Sequence, residues 1–349
     1  MELTEKLFKE QYEVFMATRN GDVFTRKKNT YHLEEPFPFA RIKSWEHCIK
    51  AFAAVFNGDK KSEDSIDCLC LNLGFFLASY GMMTKDSSLL CCDYKVHADA
   101  VRIILKYKEL FCMDLWKLCE QEDKLRKLDK LCEEIRDAYK NIAEKYKGTD
   151  TKGDACRVVF SNGISNILLT KILLGTLGIV PAYDTCVCKA VIAYKLADDR
   201  NFNMAALKKL SESLGGLKEK IEELTSSARS VYACEYYTSA RIIDGVLWYL
   251  GYEIRKEQEK ANDLLTIEDG VVTACDKQAE KIVIPDGVEE IGAGAFGGCT
   301  SLKAAIIFGS VKAIGNEAFA GCASLESVTL LGNPKMGADV FKDCGSLKR

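Results

Sequence analysis

The chain has 349 residues, 48% hydrophobic and 28% charged with only 5 Pro, which excludes a disordered or collagen-like polymer and suggests two folded domains. Lys plus Arg number 48 against 51 Asp plus Glu, so no overall field recruits nucleic acid or anionic lipid. The 16 Cys lie singly or as Cys91-Cys92, Cys68-Leu-Cys70 and Cys186-Val-Cys188, with no Cys-x-x-Cys, which gives no support to a zinc ribbon or a dithiol redox pair. The opening Met1-Glu-Leu-Thr-Glu-Lys carries acids and no apolar run, so we expect reduced thiols in a cytoplasmic protein.

Helical periodicity dominates the first 262 residues. Helices are expected at Leu3 to Thr18, Ser44 to Phe56, Asp64 to Met82 and His97 to Phe111, with turn residues at Asn20-Gly21 and Asn57-Gly58-Asp59. Leu118, Leu125, Leu128, Cys132, Ile135, Tyr139 and Ile142 then recur mostly three or four apart beneath a charged face. That pattern predicts one long helix from about Asp114 to Lys147, stopped at Gly148 and followed by a loop at Thr149 to Asp154. Its heptad-like spacing also fits a two-stranded coiled coil, although a tertiary helix is preferred. Further helices are expected at Ile164 to Leu177, Asp184 to Leu196, Ala205 to Ser226 and Tyr236 to Lys260, with Ser44 and Asp184 as caps. The apolar run Ile164 to Val180 holds Lys171 near its centre and ends at Pro181, too short for a bilayer, so no membrane span is expected. These elements predict an all-helical domain of eight or nine helices over residues 1–262, anchored by Trp45, Trp116 and Trp248.

Catalytic signals in this part are few. Phosphate-loop and dinucleotide fingerprints are absent, so no cofactor is expected. His32, His47 and His97 are far apart and lack metal-ligand spacing, so no metal site is expected either. Cys92 and His97, five residues apart, would diverge on one helix, and Asp93 reads as a helix cap. The most unusual stretch is Gly175-Thr-Leu-Gly-Ile-Val-Pro181-Ala-Tyr183-Asp184, where an apolar helix breaks at glycines and Tyr183 and Asp184 begin the next one.

This layout resembles helix-hairpin-helix DNA glycosylases, in which an Asp follows the hairpin and a Pro-containing turn. Where that family carries its catalytic lysine this chain has Ser165, and the hairpin Gly-x-Gly is reduced to Asn162-Gly163-Ile164. The same segment, with Leu77 to Met82 and Ala240 to Trp248, also resembles a bacterial all-helical family of unassigned function. A candidate binding site follows at Tyr183, Asp184 and Arg241, with Asp244 three residues beyond the arginine. These side chains would either line a polar pocket for a small molecule or nucleic acid, or make an ordinary cap and ion pair.

After residue 262 the pattern changes to an internal repeat. Ala295-Phe296-Gly-Gly-Cys299-Thr-Ser-Leu302 recurs as Ala318-Phe319-Ala-Gly-Cys322-Ala-Ser-Leu325 and as Val340-Phe341-Lys-Asp-Cys344-Gly-Ser-Leu347, at spacings of 23 and 22 residues. Ile284, Ile307 and Leu330 keep the same phase, as do Ile291, Ile314 and Met336. Alternating apolar residues predict one short strand per unit, and the Ala-Phe-x-x-Cys segment predicts a short helical turn. One such unit cannot cover its own apolar face, so units must stack into a solenoid, with the Cys filling a small apolar slot.

These residues resemble the BspA-like leucine-rich repeat family, whose unit reads IPxxVxxIGxxAFxxCxxLxxV. The resemblance implies a solenoid of about three and a half units over residues 263–349, with an open face that recognises a protein or a surface rather than a substrate. Residues 263–349 hold 8 Lys or Arg and 12 Asp or Glu, which disfavours nucleic acid as the partner. The final helix, with Ala261-Asn262-Asp263, is expected to cap the first coil. The reading is therefore a non-enzymatic interaction protein with a protein partner, the helical domain serving as scaffold.

Overall fold

The computed structural model describes residues 2–20, 23–26, 29–32, 43–58, 62–83, 89, 92–145, 163–197 and 201–348. The expected Gly148 stop, the loop at Thr149 to Asp154, Asn162 and Cys91 lie outside them. Eleven helices appear among the described residues: α1 (Glu5–Asn20), α2 (Lys43–Asn57), α3 (Glu63–Ser79), α4 (Ala98–Ile104), α5 (Leu115–Glu120), α6 (Glu122–Lys145), α7 (Asn166–Thr176), α8 (Thr185–Ala193), α9 (Met204–Ser213), α10 (Lys218–Val231) and α11 (Ser239–Leu264). An antiparallel hairpin, β1 (Val23–Arg26) with β2 (Asn29–His32), interrupts them. It departs from the all-helical expectation, and its Val, Phe, Thr and Tyr are the residue types that favour strands. The chain divides into two compact units, Leu3–Cys188 with Leu196–Tyr249, and Lys189–Lys195 with Leu250–Arg349.

Two helices read as continuous are each divided in two. Gln121 is extended and its carbonyl opens α6, accepting from the amides of Lys124 and Leu125, with Glu122 and Asp123 in the first turn where the helix dipole favours acids. The Trp116 indole N–H donates to the Ser211 carbonyl at 2.9 Å, which ties α5 to the end of α9. Gly215-Gly216 separates α9 from α10, since paired glycines are poor helix formers. Asp114, Ser165, Asp184 and Asn203 cap the helices that follow them. Ser44 does not act as a cap: it lies inside the first turn of α2, buried.

Glycine in the apolar α7 has a different role from the break expected of it. A Cβ at Gly175 would come within 2.5 Å of the Phe76 ring, so this glycine lets α3 lie against α7. Gly178 is the actual stop, at φ +68°. Trp45 is fully buried and its indole N–H donates to the Leu174 carbonyl, whereas Trp248 is only half-buried beside Tyr249.

The repeat unit is built from coils carrying two strands each, one more than expected. The second strand, at Ile291, Ile314 and Met336, is only two residues long, too short for an alternation to show. β6 (Glu290–Ile291), β8 (Ala313–Ile314) and β10 (Lys335–Met336) join β3 (Leu265–Glu268) and β4 (Val271–Cys275) in a five-stranded sheet ordered β10-β8-β6-β4-β3. β5 (Lys281–Val283), β7 (Ala304–Ile307) and β9 (Ser327–Leu330) form a parallel three-stranded sheet. Between the two strands of a coil the Ala-Phe-x-x-Cys segment runs as successive turns, not as a helix. Its amides bond the neighbouring coil instead, Phe296 to the Ala318 carbonyl at 2.7 Å and Phe319 to the Val340 carbonyl at 2.9 Å.

That backbone ladder accounts for a glycine row. A Cβ at Gly292, Gly315 or Gly337 would approach backbone of the preceding coil to 2.9, 2.5 and 2.6 Å. The left-handed position one coil apart is less strict: Gly294, Glu317 and Asp339 occupy it at φ of +65°, +53° and +54°.

Both sheets are covered on the inside by one core running from Ala261 through Val272, Ile291, Phe296, Cys299 and Phe319 to Val340. Ala261, with Leu264 beside it, brings the end of α11 into that core, so the final helix closes the first coil. The three-stranded sheet is covered on its outside as well. Val283, Ile306 and Phe308 form a second cluster with Ile254 of α11 and Ala193 of α8. Gln258 donates to the Ile284 carbonyl at 2.8 Å, and Lys189, only 6% exposed, bonds Gln258 and Asp286 and lies over the Phe308 ring.

A fragment of residues 264–349 leaves Val283, Ile306 and Phe308 bare, so it is expected to aggregate or melt without cooperativity. A 250–349 fragment regains Ile254, Gln258 and Ala261 and should melt more cooperatively by circular dichroism; a soluble, cooperative 264–349 fragment contradicts this account. In the full chain, Gly315→Ala should lower stability in urea by about 3 kcal/mol, while Glu317→Gly should change it by no more than about 1 kcal/mol.

Candidate functional site

The sequence offers two sites, and their side chains behave differently. In the helical unit, α11 begins with Arg241 and Asp244 on one face. Arg241 donates through Nη1 to Asp244 Oδ2 at 2.5 Å and through Nη2 to the Tyr80 hydroxyl at 2.6 Å. The guanidinium lies over the rings of Phe15, Trp45 and Tyr80 at 4.8, 5.1 and 5.6 Å from their centroids. Asp244 accepts the Ala182 amide at 2.9 Å, which ties α11 to the turn after Pro181. Gly245 lets the Phe15 ring of α1 lie against α11, since a Cβ there would meet that ring at 2.6 Å.

A second charged pair closes the same network. Lys171 donates to the Tyr80 carbonyl at 2.6 Å and stands 3.8 Å from Asp184. Asp184 Oδ1 accepts the amides of Cys186 and Val187 at 3.0 and 3.1 Å, the cap that starts α8. The structure therefore brings Asp184 and Arg241 into one network through Tyr80 and Lys171. Tyr183, 2% exposed, turns its ring onto Phe202, and its buried hydroxyl has no hydrogen-bond partner among the described residues.

Arg241 and Tyr183 are each 2% exposed, and the side chains of Asp184 and Lys171 are 16% and 7% exposed. The candidate residues thus form a polar core rather than the walls of an open cleft. A shallow groove lined by Lys50, Ala54, Ser226, Arg229, Cys234 and Tyr236 lies elsewhere in the helical unit and includes none of them. Burial pushes the Asp244 carboxyl up from 3.8 to about 6, with Arg241 pulling the other way. Breaking such a pair leaves a buried charge without its partner and destabilises strongly.

The Cys92 and His97 pair is also structural. His97 is fully buried, its Nδ1 lies 2.6 Å from the Tyr139 hydroxyl, and burial lowers its pKa to about 4. Asp93 caps the turn leading to it, accepting the Lys95 amide at 2.9 Å. No group of three or more His, Cys, Asp or Glu among the described residues could hold a metal ion. No helix among them is long and apolar enough to cross a membrane.

The repeat positions stack in register. Phe296, Cys299, Leu302, Phe319, Cys322 and Leu325 are fully buried, and Phe341, Cys344 and Leu347 are partly buried against the same core. The Phe296 and Phe319 rings stack at 4.5 Å and 6°, and Phe319 and Phe341 at 5.5 Å and 28°. Each thiol donates to a carbonyl of the coil before it: Cys322 to Phe296 and Cys344 to Phe319, both at 3.1 Å, and Cys299 to Cys275 at 4.0 Å. The slot is therefore polar at its end as well as small. Cys299, Cys322 and Cys344 are thiols in no disulfide, and burial raises Cys322 to about 11, so it stays protonated near neutral pH.

The five-stranded sheet leaves its outer face open. Along the outside of the five-stranded sheet stand Thr266 and Glu268 on β3, Glu290 on β6, Ala313 on β8 and Lys335 on β10, all exposed except the partly buried Ala313. Sequence reasoning did not single out this row, nor Lys189. The one signal for Lys189 is a lysine set in an apolar helix, Cys186-Val-Cys-Lys-Ala-Val-Ile, the same signal that Lys171 gives.

Residues 257–349 match the family model of the BspA type Leucine rich repeat region in 6 copies. The match covers about a quarter of the chain and opens at Glu257, within α11. No curated protein and no solved structure matches the chain. The protein is thus a helical unit followed by a C-terminal solenoid similar to BspA-type leucine-rich repeats.

Tyr183→Phe removes only an unpartnered buried hydroxyl, so it should leave thermal stability unchanged or raise it by up to about 1 kcal/mol. For Asp244 the folded carboxyl holds its proton to higher pH than the unfolded one. Its contribution is complete below pH 3.8 and is lost as the pH rises through 6. The stability gap between the native chain and Asp244→Asn, measured by urea unfolding, should therefore widen as the pH falls through this window. A gap that narrows contradicts the assigned direction.

Proposed function

We propose that the chain is a non-enzymatic interaction protein that binds a protein partner through the outer face of its five-stranded sheet. The observation that carries this reading is the inequality of the two sheets. The three-stranded sheet has Ile254, Ala193 and Phe308 on its outer side, whereas Thr266, Glu268, Glu290 and Lys335 face solvent. Repeats of the BspA type serve in protein interaction and adhesion, which supports the class of partner. The exposed row mixes two acids, a base and one hydroxyl, the make-up of a polar recognition surface rather than of an oily one. The helical unit acts as scaffold, its charged residues at Arg241, Asp244, Lys171 and Asp184 being committed to each other.

The test is capture from host lysate by the full chain, compared with Thr266→Arg and Glu290→Arg, both on exposed side chains. A protein retained by the native chain and lost with both substitutions supports the reading. A partner retained equally by all three chains contradicts it.

A further inference from the structure

Beyond its acidic first turns, α3 carries apolar side chains on two opposite faces, with Asn72 between them donating to the Cys68 carbonyl. Ile66, Leu69, Cys70, Leu73, Phe76 and Leu77 are buried in the helical unit, but Cys68, Leu71, Phe75 and Ala78 form a continuous stripe on the opposite, exposed face. Leu71 is 54% exposed and Phe75 57%, two of the few large apolar side chains so exposed among the described residues, and they stand one turn apart. A helix with apolar residues on opposite faces is normally covered on both, and among the described residues only one face of α3 is covered.

We propose that this stripe is where two copies of the chain meet, α3 lying antiparallel on α3 about a two-fold axis at the level of Leu73. Two observations select a second copy and this orientation. The stripe is palindromic in side-chain size. Leu71 and Phe75 are equidistant from position 73, as are Cys68 and Ala78, so the two-fold axis sets large against large and small against small. Spacings of three and four residues are those of an interhelical seam, and such a face is isologous.

Charge makes the same choice. Glu63, Asp64 and Asp67 cluster at the N-terminal end of α3, while Ser79, Tyr80, Gly81 and Met82 at the other end carry none. A parallel pair would place the acids against their own counterparts. The antiparallel pair places each acidic end on the uncharged end of the other copy and sets the helix dipoles in opposition. Asp67 already bonds the Tyr94 hydroxyl at 3.0 Å and faces Lys95 at 3.4 Å, which leaves its charge answered within its own chain. The stripe is about 15 Å long at 1.5 Å per residue. Four side chains along so short a stretch make a small contact, below the size of a permanent interface, so the dimer forms and dissociates with concentration. This contact is independent of the solenoid reading.

Sedimentation velocity of the full chain, from low to several hundred micromolar, reads the association directly. The weight-average mass should climb from one chain toward two, and Phe75→Glu and Leu71→Glu should each hold it at one with an unchanged thermal melt, since both side chains are solvent-exposed. In Ala78→Cys, mild air oxidation should join Cys68 of one copy to the introduced thiol of the other, located by peptide mass mapping. A chain monomeric at every concentration overturns the proposal, as does a dimer indifferent to Phe75→Glu. A cross-link between the two Cys68 residues overturns the antiparallel arrangement.

Discussion

A coil of this solenoid can bury its apolar residues only against its neighbours, and the repeat unit is organised around that constraint. The demand is severe at the glycine row, where Gly292, Gly315 and Gly337 let backbone lie on backbone with no room for a Cβ. Close stacking in turn brings the turn amides of one coil onto the carbonyls of the next and aligns the Phe rings into a column. The buried thiols complete the fit, each reaching a main-chain carbonyl that would otherwise lack a side-chain donor. The first coil has no coil before it. The end of α11 and the antiparallel β3–β4 hairpin take that place.

The same helix covers one outer face of the solenoid. Ile254 and Gln258 lie on the outside of the three-stranded sheet, and Lys189 brings a buried charge to Asp286 there. A lysine so buried is tolerated only with its carboxylate and amide partners in place. Among the described residues, a solenoid with two outer sheet faces thus keeps the one on the five-stranded sheet open, polar and mixed in charge. In the helical unit the polar residues that looked most like a site are likewise engaged with one another. Arg241 is held in an aromatic cage by Phe15, Trp45 and Tyr80, and Asp184 is shared between a helix cap and Lys171.

The repeat was legible in the sequence because its constraints recur with a fixed period, so Phe296, Phe319 and Phe341 identify each other. The second strand of each coil was not, because two residues such as Glu290-Ile291 hold no periodicity; their pairing is decided by the neighbouring coil. In the helical region the apolar phase of Leu118 to Tyr139 marked buried positions correctly, yet it ran across the break at Gln121. The short helix before the break is tied by Trp116 to Ser211, a contact 95 residues away that no local pattern displays. Sequence left open whether Tyr183, Asp184 and Arg241 would line a pocket or make a cap and an ion pair; Asp184 and Arg241 share one network, while Tyr183 packs on Phe202 outside it. Burial of Arg241 follows from Phe15, Trp45 and Tyr80, which come from three separate segments.

The central claim is that the outer face of the three-stranded sheet is held by the chain's own α11. Hydrogen–deuterium exchange of the full chain, native against Ile254→Glu, tests it most directly. The account predicts that amides of β5 and β7 lose protection in the variant, and that those of Arg241 to Leu247 exchange as before. Unchanged protection across Lys281 to Ile307 would contradict it.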